Sequence, residues 1–245
     1  MTDPTACLAA NWANVRQRVD DACRQAGRDP ASVRILPVSK TFGAPVIRAA
    51  VALGLHRFGE NKVQEVREKS AVLADCGIDW VLIGHLQTNK AKDVARLVSE
   101  VQSLDRLELA EALDRRLQSL GRQIDVLVQV KTSNEPGKFG LAAEQLPAFL
   151  DRLRDYPSLR VRGLMTLAVH SSDAEEVRGC FRQLRQLRDS AQAQGHDLPT
   201  LSMGMSDDFP LAIAEGATEL RIGSAIFGGR LPPAPDAGID PPHLG

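Results

Sequence analysis

Eight short apolar runs recur along this chain, each followed by helical periodicity, and that alternation leaves few folds open. The runs occupy 33–39, 57–59, 80–84, 101–104, 126–131, 161–166, 200–203 and 219–222. Helical patterns lie between them at 45–53, 63–73, 89–98, 107–120, 146–153, 174–194 and 208–215. Eight strand-helix units in 245 residues predict an α/β fold, a single (β/α)8 barrel of the TIM type. A doubly wound open sheet is the alternative, because an alternating pattern does not by itself prove closure. Ahead of the first unit, a helical period over 7–26 places Leu8, Trp12, Val15, Val19 and Cys23 on one face, with Gly27 as a stop. This adds an extra N-terminal helix to the barrel.

One domain over 1–228 accounts for the pattern, and 229–245, rich in glycine and proline, reads as a flexible C-terminal tail. Thirty basic residues against 31 acidic leave a formal net charge of -1, so no basic face for nucleic acid is advertised. With Tyr156 the only tyrosine and aromatics at 4%, base-stacking platforms are not expected either. Cys7, Cys23, Cys76 and Cys180 form no CxxC pair and read as reduced thiols of a cytoplasmic protein. Neither a signal peptide nor a membrane-spanning run is visible. No histidine spacing suits a metal: His56, His170, His196 and His243 are scattered, and His85, on the working face, reads as a rim hydrogen bonder.

In such a barrel the working face lies at the C-terminal ends of the strands, and phosphate commonly sits on the loops after strands seven and eight. Lys40 leaves the first strand on that face, in a chain with seven lysines against 23 arginines. Its amine, unlike a guanidinium, becomes a nucleophile toward an aldehyde once deprotonated. After the seventh strand comes Ser202-Met203-Gly204-Met205-Ser206-Asp207-Asp208, and after the eighth Arg221-Ile222-Gly223-Ser224-Ala225. Both loops offer small residues, hydroxyls and backbone N–H groups to an anion. A strand-end lysine beside a phosphate cradle suits either a phosphosugar held by a Schiff-base aldolase or pyridoxal 5'-phosphate, an aldehyde with its own phosphate. Arg221 favours the second, since a guanidinium there would donate to a pyridine nitrogen and keep it unprotonated; the aldolase leaves Arg221 without a clear purpose.

The ordered motifs Val38-Ser39-Lys40-Thr41, Phe58-Gly59-Glu60-Asn61, Ile83-Gly84-His85-Leu86-Gln87-Thr88-Asn89-Lys90, Arg162-Gly163-Leu164-Met165, 201–208 and 221–228 resemble the pyridoxal phosphate homeostasis proteins. That family is similar in fold to the N-terminal domain of alanine racemases, pyridoxal phosphate fold type III. The resemblance implies a Schiff base on Lys40, phosphate held by Ser206, Gly223 and Ser224 with the Met205 backbone nearby, and Arg221 at the pyridine nitrogen. It places Asn61 and Met165 near the ring. Lys131 departs from the family, where a shorter aliphatic residue is common, and stands as a rival amine at the fifth strand's exit.

The implied role is to hold the cofactor for intracellular vitamin B6 homeostasis and pass it to apoenzymes, with no catalytic residue expected. The alternative is an amino-acid racemase, which needs a proton acceptor on each face of the substrate carbon. Its tyrosine base commonly comes from a second domain, which is not expected here, and Tyr156 precedes the sixth strand at the barrel's opposite end. A monomer is expected. Two helix features read as ordinary: Cys180 as core beside Val177 and Leu184, and Arg178, Arg182, Arg185 and Arg188 as a solvated face.

Overall fold

The N-terminal period folds as α1 (Pro4–Gln25), which buries Leu8, Val15, Val19 and Cys23, with Trp12 half-buried beside them. This is a computed structural model, and it describes residues 4–228 apart from Asn134 and Pro136. The stretch 229–245, read from sequence as a tail, lies outside the described residues. Eight strands follow: β1 (Arg34–Pro37), β2 (Arg57–Glu60), β3 (Asp79–Leu82), β4 (Val98–Leu104), β5 (Ile124–Gln129), β6 (Leu159–Met165), β7 (Thr200–Ser202) and β8 (Glu219–Ile222). Between and after them run α2 (Ala44–Ala52), α3 (Val63–Val72), α4 (Ala91–Leu97), α5 (Leu107–Ser119), α6 (Leu146–Leu153), α7 (Ala174–Ala193), α8 (Phe209–Ala214) and α9 (Ser224–Phe227).

Helix starts follow local chemistry. Proline occupies the first turn of α2, α6 and α8, where its missing N–H removes no helical bond. Asp173 caps α7 by accepting from the Glu175 amide at 2.8 Å, and Glu175 and Glu176 set negative charge at that helix's positive end. One element shifts against expectation. Val98, read as the end of a helix, begins β4, because α4 stops at Leu97 and the strand needs Val98 to pair with Trp80.

All strand pairs are parallel, in the order β1-β8-β7-β6-β5-β4-β3-β2. The ring closes between β1 and β2 through a Val38–Gly59 bridge and the Ser39 amide, which donates to Gly59 O at 3.0 Å. The fold is therefore the near-closed barrel rather than the open sheet. Helix α1 packs against α2, α8 and α9. Arg28, just past it, donates to the carbonyls of Ile213 and Ala217 at 2.9 and 2.7 Å and ties it down.

The barrel interior is not wholly apolar. Glu219, at the start of β8 and fully buried, accepts from Arg57 and Arg34, each at 2.7 Å, and from the Gln102 side chain. Glu100 accepts from Arg57 at 2.6 Å and from Gln102 at 2.7 Å. Burial alone would raise Glu219, but the two guanidiniums outweigh it and hold the carboxyl below its usual range. Burial, reinforced by the charge of Glu219, pushes Glu100 up. Two arginines and two carboxylates thus neutralise one another at the barrel floor.

Candidate functional site

The strand order sets three candidate loops side by side on the C-terminal face. Strand β8 lies between β1 and β7, with Pro37 opposite Ile222 and Ser202 opposite Glu219. The loops carrying Lys40, Gly223-Ser224 and Ser206 are therefore neighbours. Ser224 Oγ lies 3.2 Å from Ser206 Oγ, so the two loops read as a phosphate cradle meet at their hydroxyls. Ser224 and Ala225 open α9, and first-turn amides have no acceptor within their own helix. The Ser206 amide has no acceptor among the described residues, whereas the Met205 amide donates to Asp208 Oδ1 at 2.5 Å.

Gly223 is closely confined, since a Cβ there would sit 3.1 Å from Val38 O, in the backbone two residues before Lys40, and that backbone would have to give by a few tenths of an ångström. Phe42, two residues after Lys40, packs on Phe227 of α9 with ring centroids 5.2 Å apart. The Lys40 loop and the β8 loop are thus fixed to each other. Lys40 is half-buried, and among the described residues no carboxylate lies within ion-pair distance of its Nζ. Asn61 follows β2 on the next strand round, half-buried. Met165, ending β6, is buried with Ser202 opposite it in register.

Arg221 is 3% exposed, and its guanidinium donates to Ser202 Oγ at 2.8 Å and to Thr166 O at 2.7 Å. Ser202 in turn donates to Gln102 Oε1 at 2.7 Å, which joins Arg221 to the floor network. Neither Glu60 nor Asp207 binds it. Its contacts are neutral, and burial pulls its guanidinium down to about 10, with Glu219 and Asp208 opposing. Two of its five N–H donors are used. A buried cation with spare donors and no direct counter-charge suits an anionic ligand that presents an acceptor.

Ser202, Thr166 and Gln102 were not singled out from sequence, because nothing local marks a strand-interior serine, threonine or glutamine as a partner of an arginine. Nor was the cluster beneath Lys40. Glu60 accepts from Ser39 Oγ at 2.6 Å and from Lys69 Nζ at 2.7 Å through one oxygen, and its other oxygen is buried with no partner among the described residues. Burial pushes this carboxyl up to about 7, against the pull of Lys69 and Ser39. The only sequence signal was Glu65 and Lys69 at a spacing of four on one helix face.

Lys131 is exposed at the exit of β5, lining a cavity of about 600 Å3 with Thr132, Ser133, Glu135 and Glu144. Sequence order places it three strands from β8, away from the Ser206–Ser224 pair. His85 corrects an expectation: its ring stacks on Phe139 with centroids 3.7 Å apart, and its nearest carboxylate oxygen, on Asp105, is at 3.9 Å, beyond a hydrogen bond. Arg178, Arg182 and Arg185 are likewise not a plain solvated face, because all three converge on the buried Glu215 at 3.2 to 3.4 Å. Cys180 is buried as expected. Among the described residues, no group of three or more His, Cys, Asp or Glu is placed to hold a metal, and no helix is long and apolar enough to cross a membrane.

Comparison with known proteins adds four findings. The profile described as alanine racemase, N-terminal domain, matches residues 5–231. The chain is 43% identical over 223 residues to the pyridoxal phosphate homeostasis protein of Pseudomonas aeruginosa, covering 91% of this chain and 96% of that one. Among solved structures it is similar to PipY of Synechococcus elongatus with PLP bound, at 38% identity and a TM-score of 0.80, covering 90% of this chain and all of that one. An alanine racemase of Clostridium difficile shares the fold at 16% identity and a TM-score of 0.72, with 58% of that chain covered.

Proposed function

Since the chain belongs to the alanine racemase N-terminal domain family, and within it to the pyridoxal phosphate homeostasis proteins, we propose that it binds pyridoxal 5'-phosphate and holds it for vitamin B6 homeostasis. The observation that carries this reading is the meeting of the β7 and β8 loops at Ser206 and Ser224, beside Lys40 and above Arg221. When bound, the cofactor supplies a reactive aldehyde and an electron-accepting ring.

The residues fit that group one by one. Ser206 and Ser224, with the small backbone at Gly223, hold the phosphate by hydroxyl and amide donation. Lys40 Nζ supplies the amine for a covalent linkage to the aldehyde carbon. Arg221 donates to the pyridine nitrogen; being a cation rather than a carboxylate, it disfavours a proton there. Asn61, just after β2, and Met165, at the end of β6, would border the ring. An unprotonated ring withdraws electrons weakly, which supports a holding role over robust catalysis. Tyr156 supports it too, because it lies between α6 and β6, at the end of the barrel away from Lys40. We assign release to cytoplasmic apoenzymes as the purpose of holding.

Titration with pyridoxal phosphate tests the reading. Wild type develops the visible band of a lysine-bound cofactor and Lys40→Ala does not; a protein that ignores the cofactor refutes the reading. Borohydride reduction and peptide mapping then place the label on Lys40, and a label on Lys131 overturns that assignment. Turnover of alanine well above the rate with free cofactor replaces holding by racemisation.

A further inference from the structure

Lys69 is buried at the end of α3, and its ammonium spends all three hydrogens within one cluster. It donates to Ser39 O at 2.9 Å, to Glu60 Oε1 at 2.7 Å and to Glu65 Oε2 at 3.0 Å. The Ser39 carbonyl belongs to the peptide preceding Lys40. Glu65 Oε2 also accepts from the Thr41 amide at 2.8 Å, which belongs to the peptide following Lys40. Burial alone would raise Glu65, but the Thr41 amide and Lys69 prevail and lower it, so the acceptor stays ionised. Ser39 Oγ completes the set by donating to Glu60 at 2.6 Å.

The two peptide planes on either side of the Lys40 Cα are therefore gripped by one ion cluster. Thr41 shows what that grip sustains. Its φ is +70°, the only positive value at a non-glycine residue among the described residues, and a β-branched side chain avoids that region. Such backbone persists where its surroundings over-determine it. The requirement is geometric, since the phosphate is fixed by the β7 and β8 loops, and the amine has to meet an aldehyde at a set distance from it.

We propose that Lys69, Glu65 and Glu60 form a positioning clamp for Lys40, fixing the direction in which its side chain leaves the backbone and hence its reach to the aldehyde. The clamp rests on the cofactor reading above and adds residues that touch neither phosphate nor ring.

Glu65→Ala is the informative variant, because Glu65 is partly exposed and its loss removes the Thr41 acceptor while leaving the Glu60–Lys69 pair. Pyridoxine 5'-phosphate, an alcohol with no aldehyde, probes the cradle alone, and pyridoxal 5'-phosphate probes cradle and amine together. The variant binds pyridoxine phosphate within about twofold of wild type, yet forms the Lys40-linked band about 10- to 100-fold more slowly, the upper figure being the scale of a misplacement near 1 Å. Glu65→Gln, which keeps a carbonyl acceptor for the Thr41 amide, restores most of the rate. In the ligand-free protein, hydrogen exchange at the Thr41 amide accelerates in Glu65→Ala. Equal loss of both ligands makes Glu65 merely structural and overturns the clamp, as does a band that forms at the wild-type rate. A wild type that binds neither ligand refutes the cofactor reading itself, and the clamp with it.

Discussion

Replacing Arg221 by Met separates a residue kept for a ligand from one kept for the fold. The guanidinium is 3% exposed and drawn well down from its usual value, to about 10, by burial. At ~1.4 kcal/mol per pKa unit, holding the charge inside costs about 3 kcal/mol. Against this stand the two hydrogen bonds to Ser202 and Thr166, each contributing about 1.5–3 kcal/mol for a charged donor. Met fills similar volume with an unbranched chain and no desolvation cost, and Ser202 keeps its bond to Gln102. The terms largely offset, so ligand-free Arg221→Met unfolds within about 3 kcal/mol of wild type. Glu219→Ala, at equal depth, strips Arg57 of a partner and costs about 3–5 kcal/mol. Urea unfolding, followed by the fluorescence of buried Trp80, ranks the two. Titration with pyridoxal phosphate meanwhile shows Arg221→Met weakened by about 10- to 100-fold, the loss of one charge-assisted bond. If Arg221→Met is as unstable as Glu219→Ala and binds the cofactor normally, Arg221 serves the fold and the electrostatic argument fails.

The Glu60 carboxyl, raised to about 7, binds its proton more tightly in the folded state, so its contribution to stability is full below its unfolded value near 4.5 and declines as pH rises through about 7. That slope is worth about 3 kcal/mol in all at ~1.4 kcal/mol per unit; Glu60→Gln removes it, and wild type and variant with parallel stability-pH curves refute the assignment. Gly163→Ala would drive a Cβ to 1.9 Å from Thr200 O, where β6 pairs with β7. Because the obstacle is backbone, the strands must part: thermal unfolding shows a loss of about 3 kcal/mol or more, and a loss under about 1 kcal/mol means that β7 can shift freely. Lys69→Met leaves Glu60 and Glu65 without their cation and lowers stability by about 3–5 kcal/mol in the same assay; an unchanged midpoint would show that the cluster does not hold the β1 exit.

Much of the fold was legible because its signals are local. The run at 219–222 coincides with β8, since an apolar strand bounded by turn residues needs no distant partner to be seen. The period of α1 reproduces its buried face for the same reason. Val98 was misplaced because an isolated valine at a helix-strand junction satisfies either period, and only pairing with β3 decides. The site divided along the same line. Lys40, Ser206, Gly223, Ser224 and Arg221 were visible as unusual residues at strand exits. The stacking of His85 on Phe139 and the gathering of three arginines on Glu215 were not, because each joins segments more than 25 residues apart.

By itself, then, the sequence determined the count and order of the strand-helix units and which side chains stand at the strand exits, since spacing and apolar period are written within a few residues. The tertiary structure alone decided closure between β1 and β2, the 3.2 Å approach of Ser206 to Ser224, and the choice of Ser202 and Thr166 as partners of Arg221. It also decided that Lys69 grips the peptides flanking Lys40. The physical reason is that strand register and the partners of long polar side chains are set by what the closed barrel brings within 3 Å, whatever their distance along the chain.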